Sequence, residues 1–550
     1  PAGIPTIDNC VIVPNNTIIS GSNYNAYAKN LTVKSTGNLD LQSSNNITVA
    51  DWVNVNTNGV FNVRNSASLV QINNTINTGI VNVARNSTAI KKLDYTYWSS
   101  PVTPFTLGQF STANSYMYSW IPTVAMSSGN WQPESNTTAM IPGKGYIIRT
   151  PWGHTENTIY TAAFNGTPNN GAITTPISKG TLIGVVDVNA EDDEWNLIGN
   201  PYPSGLSIAK FIDLPSNVPV VDGTVYLWTH NSQPSTAAPN PFYGDFVFNY
   251  TSEDYATVNK TGATVTTTAA ATGGGAPSEF IASGQSFFIK AATSMANGTT
   301  ANATFTNSMR ETGKNNSFSK IKTTKETEKN RIWLNLANNS DAFSQLLVGY
   351  LAGATQGLDR GFDGENLGGN DVTFYSIIPE ANLTIQGRAL PFDENDQVNL
   401  GYNAAIASSL SIRIDHIDGL FDTQNIYLED KELDIIHDLK KAPYVFTTEI
   451  GDFDKRFVLR YTNKDKTLGT NSVETTNDVL VIVNQKVTVN SSNEQIKNID
   501  VFDLAGRKID SYKAINTAQF TLNHLNKNTV GLILKITLEN DTVLSKKIIY

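Results

Sequence analysis

Between Leu31 and Val63 the chain repeats one small device, two apolar residues separated by a single residue and set among Asn, Gly and Ser. Leu31/Val33, Leu39/Leu41, Ile47/Val49, Val53/Val55 and Phe61/Val63 carry it, mostly at steps of eight residues. Alternate side chains of a strand point to opposite faces, so each such strand buries only one side. Strands this short are unstable alone and must stack on like neighbours. A β-solenoid with Asn and Gly at its corners meets that demand over residues 1–94. The spacing becomes irregular after Leu69, which leaves a small sandwich of short strands as the competing arrangement.

The remaining sequence also reads as β. Asn, Thr, Ser and Gly are abundant, Val, Ile and Tyr are frequent, and amphipathic helical periodicity is scarce. At 550 residues the chain is too long for one core, so a multidomain, all-β protein is expected. A net charge of −10 supplies no cationic surface for nucleic acid. The basic cluster Lys314 to Lys329, interleaved with Glu326 and Glu328, reads as a solvated linker. No apolar run is long enough for a transmembrane helix, and no secretory leader is read, Pro1 falling inside what reads as mature sequence. Cys10, the only cysteine, reads as a small buried thiol rather than as a lipid anchor or half of a disulfide.

An internal duplication follows. Trp98-Ser99-Ser100-Pro101 is echoed by Trp195-Asn196-Leu197-Ile198, and Met117-Tyr118-Ser119-Trp120 by Val225-Tyr226-Leu227-Trp228. Gly143 to Arg149 is echoed by Gly284 to Lys290, and Phe164 and Phe305 each follow 18 residues after Tyr146 and Phe287. Two β modules are expected, 95–180 and 181–312, the second carrying a long excursion over 232–280. In the segment WNLIGNPYPSGL, Trp195 to Ile198 should enter a sheet and Gly199 to Pro201 should break it. A linker at 313–330, an antiparallel sandwich or jelly roll at 331–463, a second linker at 464–477 and a small Ig-like domain at 478–550 complete the expected order.

The carboxyl end carries Asn498-Ile499-Asp500-Val501-Phe502-Asp503-Leu504-Ala505-Gly506-Arg507, then Leu532 to Ile536, then Lys546 to Tyr550. In order, spacing and terminal position these resemble the sorting domain of the Bacteroidetes type IX secretion system. Val530-Gly531-Leu532 stands where the commoner pattern has Gly-x-Tyr, and Tyr461 to Asn463 with Thr467 to Thr470 make the end more similar to the type C signal. From about Tyr95 the chain resembles long flavobacterial surface proteins, with YWSSPV, GKGYIIR, GNPYPS, YLWTHN, GQSFFIK, LDRGFDG, IQGRALPF and NIYLED in that order. The resemblance implies export across the outer membrane and an extracellular or cell-surface location. It also implies docking of Asp503, Gly506, Arg507, Lys535, Lys546, Lys547, Ile548, Ile549 and Tyr550 to the translocon or its outer-membrane shuttle barrel.

Catalytic signatures are lacking: His154, His230, His416, His437 and His524 fit no zinc-binding pattern, and no nucleophile elbow occurs. In a regular strand His416 would face away from Asp415 and Ile417. Cofactors are not expected, with calcium as the one candidate. Its ligands would be Asp187, Glu191, Asp192, Asp193 and Glu194, or Asp359, Asp363, Glu365 and Asp371 beside glycines suited to a ligand-bearing turn. Solvated acidic turns are the competing reading of both. Trp120, Trp131, Trp152 and Trp228 are candidates for stacking on surface glycans, although β-module tryptophans are more often packed. Asp541-Thr542-Val543 resembles the short Bacteroidetes O-glycosylation motif. The expectation is a non-enzymatic adhesin or surface structural protein, in the class associated with gliding; a secreted hydrolase with its active domain upstream, or a glycan-binding module, is the alternative.

Overall fold

The computed structural model describes residues 3–90, 94–110, 116–123, 131–151, 153–155, 157–181, 194–229, 254–266, 277–315, 329–339, 342–368, 371–463, 479–483, 486–491, 494–503, 506–527 and 531–550. They are nearly all β, and they form two compact units, Pro1–Asn463 and Lys464–Tyr550.

The first unit begins as a three-faced parallel coil. One face stacks Cys10–Val13, Asn30–Val33 and Val53–Val55; the second stacks Asn16–Ile19, Asn38–Leu41, Val60–Val63 and Val81–Ile90. The third stacks Asn25–Ala28, Asn46–Val49 and Ser68–Gln71. The eight-residue step therefore leads from face to face, and a full turn takes 20 to 22 residues, as the Cys10–Asn30 and Leu31–Val53 pairings show. Val33, Leu41, Val49, Val55, Val63 and Leu69 point inward and are buried. Corners admit close backbone approach: a Cβ at Gly37 would lie 2.2 Å from the Val13 carbonyl oxygen. The coil starts a turn earlier than the Leu31 pattern indicates, and Cys10 lies exposed on its first strand, contrary to the expected buried thiol.

The duplication is present as two four-stranded sheets of identical connectivity. The first orders Tyr95–Trp98, Tyr146–Arg149, Met117–Trp120 and Trp131–Pro133; the second orders Trp195–Gly199, Ser286–Ala291, Val221–Trp228 and Tyr255–Val258. Register corrects one expected equivalence. Trp98 stands opposite Tyr146 while Trp195 stands opposite Lys290, so Tyr95, opposite Arg149, is the counterpart of Trp195. Trp98 corresponds to Ile198, and the two prolines Pro101 and Pro201 then coincide.

The modules meet reciprocally. Ser99 N–H donates to Gly284 O at 2.8 Å and its counterpart Gly199 N–H to Gly143 O at 3.0 Å. Trp120 Nε1 donates to Trp195 O at 2.6 Å, and Trp228 Nε1 to Tyr95 O at 3.0 Å. Each contact recurs with the partners exchanged, the signature of a local twofold relation within one chain. An aromatic core with Tyr97, Trp120, Trp131, Trp195, Tyr226, Trp228, Tyr255 and Phe288 fills the junction.

Residues 330–461 carry one eleven-stranded sheet, mixed rather than purely antiparallel because Phe343–Leu351 and Asn382–Ala389 run parallel. It bends over itself as a sandwich must. Gln397–Ala404 and Tyr444–Thr448 are far apart in strand order, yet the Tyr402 and Phe446 rings lie 5.5 Å apart and the Tyr402 and Thr448 hydroxyls 3.1 Å. The expected linker is partly structural. Asn315 is buried, takes a bond from Arg85 through its carbonyl and donates to Ala67 O, and Lys329 pairs with Glu279.

The second unit has two sheets, Val479–Val483, Val487–Ser491 and Gln519–Leu522 in one, and Lys508–Thr517, Ile496–Asp503, Gly531–Leu538 and Val543–Ile549 in the other. Val487, Val489, Ile499, Val501, Leu534 and Ile536 are in its own core.

Candidate functional site

The segment WNLIGNPYPSGL is a buried corner. Asn200 Nδ2 donates to Ser204 O and Ile281 O, Tyr202 OH reaches Gly171 O at 2.5 Å, and Pro203 O receives Leu69 N–H of the coil at 2.8 Å. Arg310 completes it, stacking on Tyr202 and donating to Leu69 O at 2.6 Å and Asn170 Oδ1 at 2.9 Å. These polar groups are occupied by the protein itself, so the loop offers nothing to a ligand.

In the second acidic cluster, Asp359, Asp363 and Glu365 are engaged with backbone and with a lysine. Asp359 Oδ2 accepts the Thr355 N–H, while Asp363 accepts Asp359 N–H at 2.6 Å and Gly387 N–H at 2.7 Å. Burial pushes the Asp363 carboxyl up to about 7. Among the described residues no three His, Cys, Asp or Glu side chains are grouped to hold a metal. Asp371 is exposed, and Asp187, Glu191, Asp192 and Asp193 lie outside the described residues. One acid from each cluster converges instead on Lys290, whose Nζ lies 2.6 Å from Glu194 and 2.8 Å from Glu365. Burial lowers the lysine's affinity for its proton, but the two glutamates outweigh this and raise its pKa. Burial pushes neighbouring Asp222 up to about 7, against the lowering pull of Lys290. Lys290→Met should destabilise the first unit by about 2 kcal/mol, below the value for an enclosed pair because Glu365 is half exposed. Denaturant midpoints of the two proteins check this; an unchanged midpoint refutes it.

Trp120, Trp131, Trp195 and Trp228 are buried and pack against one another's modules, so none presents a face to a sugar. Trp152 lies outside the described residues, as does His230. A polar slot lined by Tyr255, Thr257, Thr264, Ser344, Asn366 and Thr384 encloses about 50 Å³, room for water. A second, open and charged depression of about 430 Å³ is lined by Lys431, Glu432, Asp452, Phe453, Asp454, Lys455 and Arg456.

His416 departs from the regular alternation expected of it. A register shift between Trp333 and Leu334 bulges the strand at Asp415 and brings His416 Nδ1 to 2.7 Å from Asp415 Oδ2. The ring stacks on Trp333 with centroids 3.8 Å apart, and Asp415 is its hydrogen-bonding partner among the described residues. A His–Asp pair is present, then, and among the described residues no nucleophile is hydrogen-bonded to the His416 ring. His154 and His437 bond within their own turns, to Thr158 and Ala442 O.

In the second unit, Asp503, Gly506 and Arg507 build a hairpin turn. Arg507 N–H and Nε both donate to the Asp503 carboxylate, at 2.9 and 3.1 Å, and Gly506 takes a φ of 82° that favours glycine. Ile548 and Tyr550 are buried in the core. Lys546 stands opposite buried Leu534 and so lies on the inward side of its edge strand, an arrangement that discourages strand addition. Lys547, opposite Ile533, and Lys535, between Asp500 and Ser545, are exposed on the outer face. The side chain of Ile549 lies outside the described residues.

The family profile for Domain of unknown function (DUF8693) matches residues 1–461. The chain belongs to the DUF8693 family. A second profile, Domain of unknown function (DUF8694), matches residues 468–550, so the sequence families divide this DUF8693 protein where its two compact units divide. No curated protein matches the chain. Among solved structures it is similar to Tp47, the 47-kilodalton lipoprotein of Treponema pallidum, at 9% identity and a TM-score of 0.13, over 38% of this chain and 66% of that one. The DUF8693 chain thus spans just under two thirds of that lipoprotein. Among the described residues no helix is long and apolar enough to cross a membrane.

Proposed function

We propose that this DUF8693 protein is a non-enzymatic adhesin or structural protein of the bacterial cell surface, exported by the type IX secretion system through its carboxyl-terminal unit. The observation that carries the reading is the self-contained terminal unit, with its own core and its own family match, placed where the sorting-signal resemblance lies. A module that folds independently can be read by a transporter whatever precedes it. Exposed Arg507 on the hairpin turn and Lys535 and Lys547 on the outer sheet face are the contacts we assign to the translocon or shuttle barrel, since Ile548 and Tyr550 serve the core. The occupied corner and the buried tryptophans favour display over sugar stacking.

Deleting residues 464–550 in a type IX-competent host should leave the protein in the periplasm. Fusing that segment to a periplasmic reporter should carry the reporter outside the cell. Surface protease accessibility and culture fractionation read both arms; external protein without residues 464–550 would sink the proposal.

A further inference from the structure

We propose that the sheet of the first module carries, around Arg149, a docking site for an extended acidic segment of a partner protein. The second module shows how such a segment binds. There Glu365 pairs with Lys290 at 2.8 Å, Asp363 O accepts the Thr224 hydroxyl at 2.7 Å, and Leu367 packs against the aromatic junction. Asp363, Glu365 and Leu367 are spaced by two, as residues on one face of an extended segment are. At this place Trp195 is 8% exposed and Tyr226 is wholly buried.

The first module presents the equivalent ground uncovered. Strand register sets Arg149 where Lys290 stands, Tyr95 at the place of Trp195 and Tyr118 at that of Tyr226. Tyr116 precedes Tyr118 by two residues, as Thr224 precedes Tyr226. Tyr116 is 52% exposed, with the Arg149 guanidinium 4.2 Å from its ring centroid, and Tyr95 and Tyr118 are only partly buried. Arg149 lacks the acids that hold Lys290. Among the described residues it makes no ion pair, and its Nε is buried without a hydrogen-bond partner. Asp94, which precedes Tyr95 as Glu194 precedes Trp195, is itself buried and accepts the Tyr95 N–H at 2.8 Å. A buried, unbonded N–H of a guanidinium is costly to leave so, and a carboxylate is the group that matches its fork. Half-exposed tyrosines beside an arginine are also the side chains on which protein interfaces are anchored. The occupant's chemistry follows from the loop that fills the twin site: an acid that reaches the cation and, two residues on, an apolar side chain that lies on the aromatic rings.

The probe is a terminally blocked, dye-labelled peptide, Gly-Phe-Asp-Gly-Glu-Asn-Leu, copying residues 361–367 and read by fluorescence anisotropy against the intact protein. Binding should be saturable. Arg149→Gln should weaken it about tenfold or more, the worth of a hydrogen bond to a charged group, whereas Arg149→Lys should retain most of it. Tyr116→Ala, and a peptide with Gln in place of its Glu, should each bind more weakly than the parent pair. No ion pair is lost in Arg149→Gln, so its melting temperature should match the parent's; a clear fall counts against the proposal, since the arginine would then serve the fold. Absence of saturable binding overturns it, and so does an affinity unchanged by Arg149→Gln or by the Gln peptide. An oligouronate that binds through Arg149 where the peptide does not would also overturn it, in favour of an acidic glycan. Neither readout depends on export, so failure here is distinct from failure of the secretion reading.

Discussion

Asp430→Ala should cost the first unit about 3 kcal/mol, the penalty of taking from a buried guanidinium its enclosed partner while half-exposed Glu432, 3.3 Å from Arg456 Nε, remains. Asp430 is fully enclosed. Its Oδ2 accepts Arg456 Nη2 at 2.9 Å and Nε at 3.1 Å and the Tyr444 hydroxyl at 2.7 Å, while Oδ1 accepts Glu432 N–H at 3.0 Å. Burial alone would push this carboxyl up, but Arg456 and Tyr444 outweigh it and hold it below its ordinary value. Asp396, bound by Arg388 and Tyr350, is lowered for the same reason. A depressed folded-state pKa contributes stability that is present above the unfolded value, about 3.9, and is lost as pH falls through the folded one. Denaturant midpoints should therefore drop below about pH 4 in the parent. In Asp430→Ala that acid-linked fall should shrink. Asp430→Asn, which keeps the shape and part of the hydrogen bonding, separates charge from packing. Equal midpoints for parent and Asp430→Ala at neutral pH would contradict the assignment.

Trp120→Ala and Trp228→Ala should each cost about 3–5 kcal/mol, as large aromatic deletions from a packed core do. The local twofold makes the sharper claim, that the two costs are similar. Each indole donates to the opposite module's backbone, at Trp195 O and Tyr95 O, and each ring packs in the shared junction. Combined, the two changes should fall short of additive, because Phe288 touches Trp120 and the ring stacked on Trp228, Tyr97, also touches Phe288. Calorimetry of the four proteins measures this; one silent and one severe deletion would deny the equivalence.

Apolar pairs made the coil legible, because inward positions repeat by simple alternation. Its first turn was harder to read, since Ile12 and Ile18 face outward and spoil the pattern that Leu31/Val33 keeps. The duplication was visible in four blocks, yet aligning the conspicuous tryptophans placed Trp98 on Trp195, three positions from the register that backbone pairing sets. Strand Lys508–Thr517 escaped because KIDSYKAINT is largely polar and its residues are mostly exposed. Edge strands carry such sequences to resist pairing, so hydrophobic pattern cannot announce them. The acidic clusters show a deeper limit. Composition revealed Glu194 and Glu365, but only the fold delivers Lys290 between them. The bulge that joins His416 to Asp415 lies one insertion away from the regular strand that would separate them.

The two aromatic modules are a dimer that shares one covalent chain. Separate subunits joined by such reciprocal contacts would part on dilution, with a midpoint set by their concentration. Tethering replaces that concentration by a fixed effective one. The junction of Trp120 and Trp228 should therefore hold as firmly for one isolated molecule in open water as in a concentrated solution.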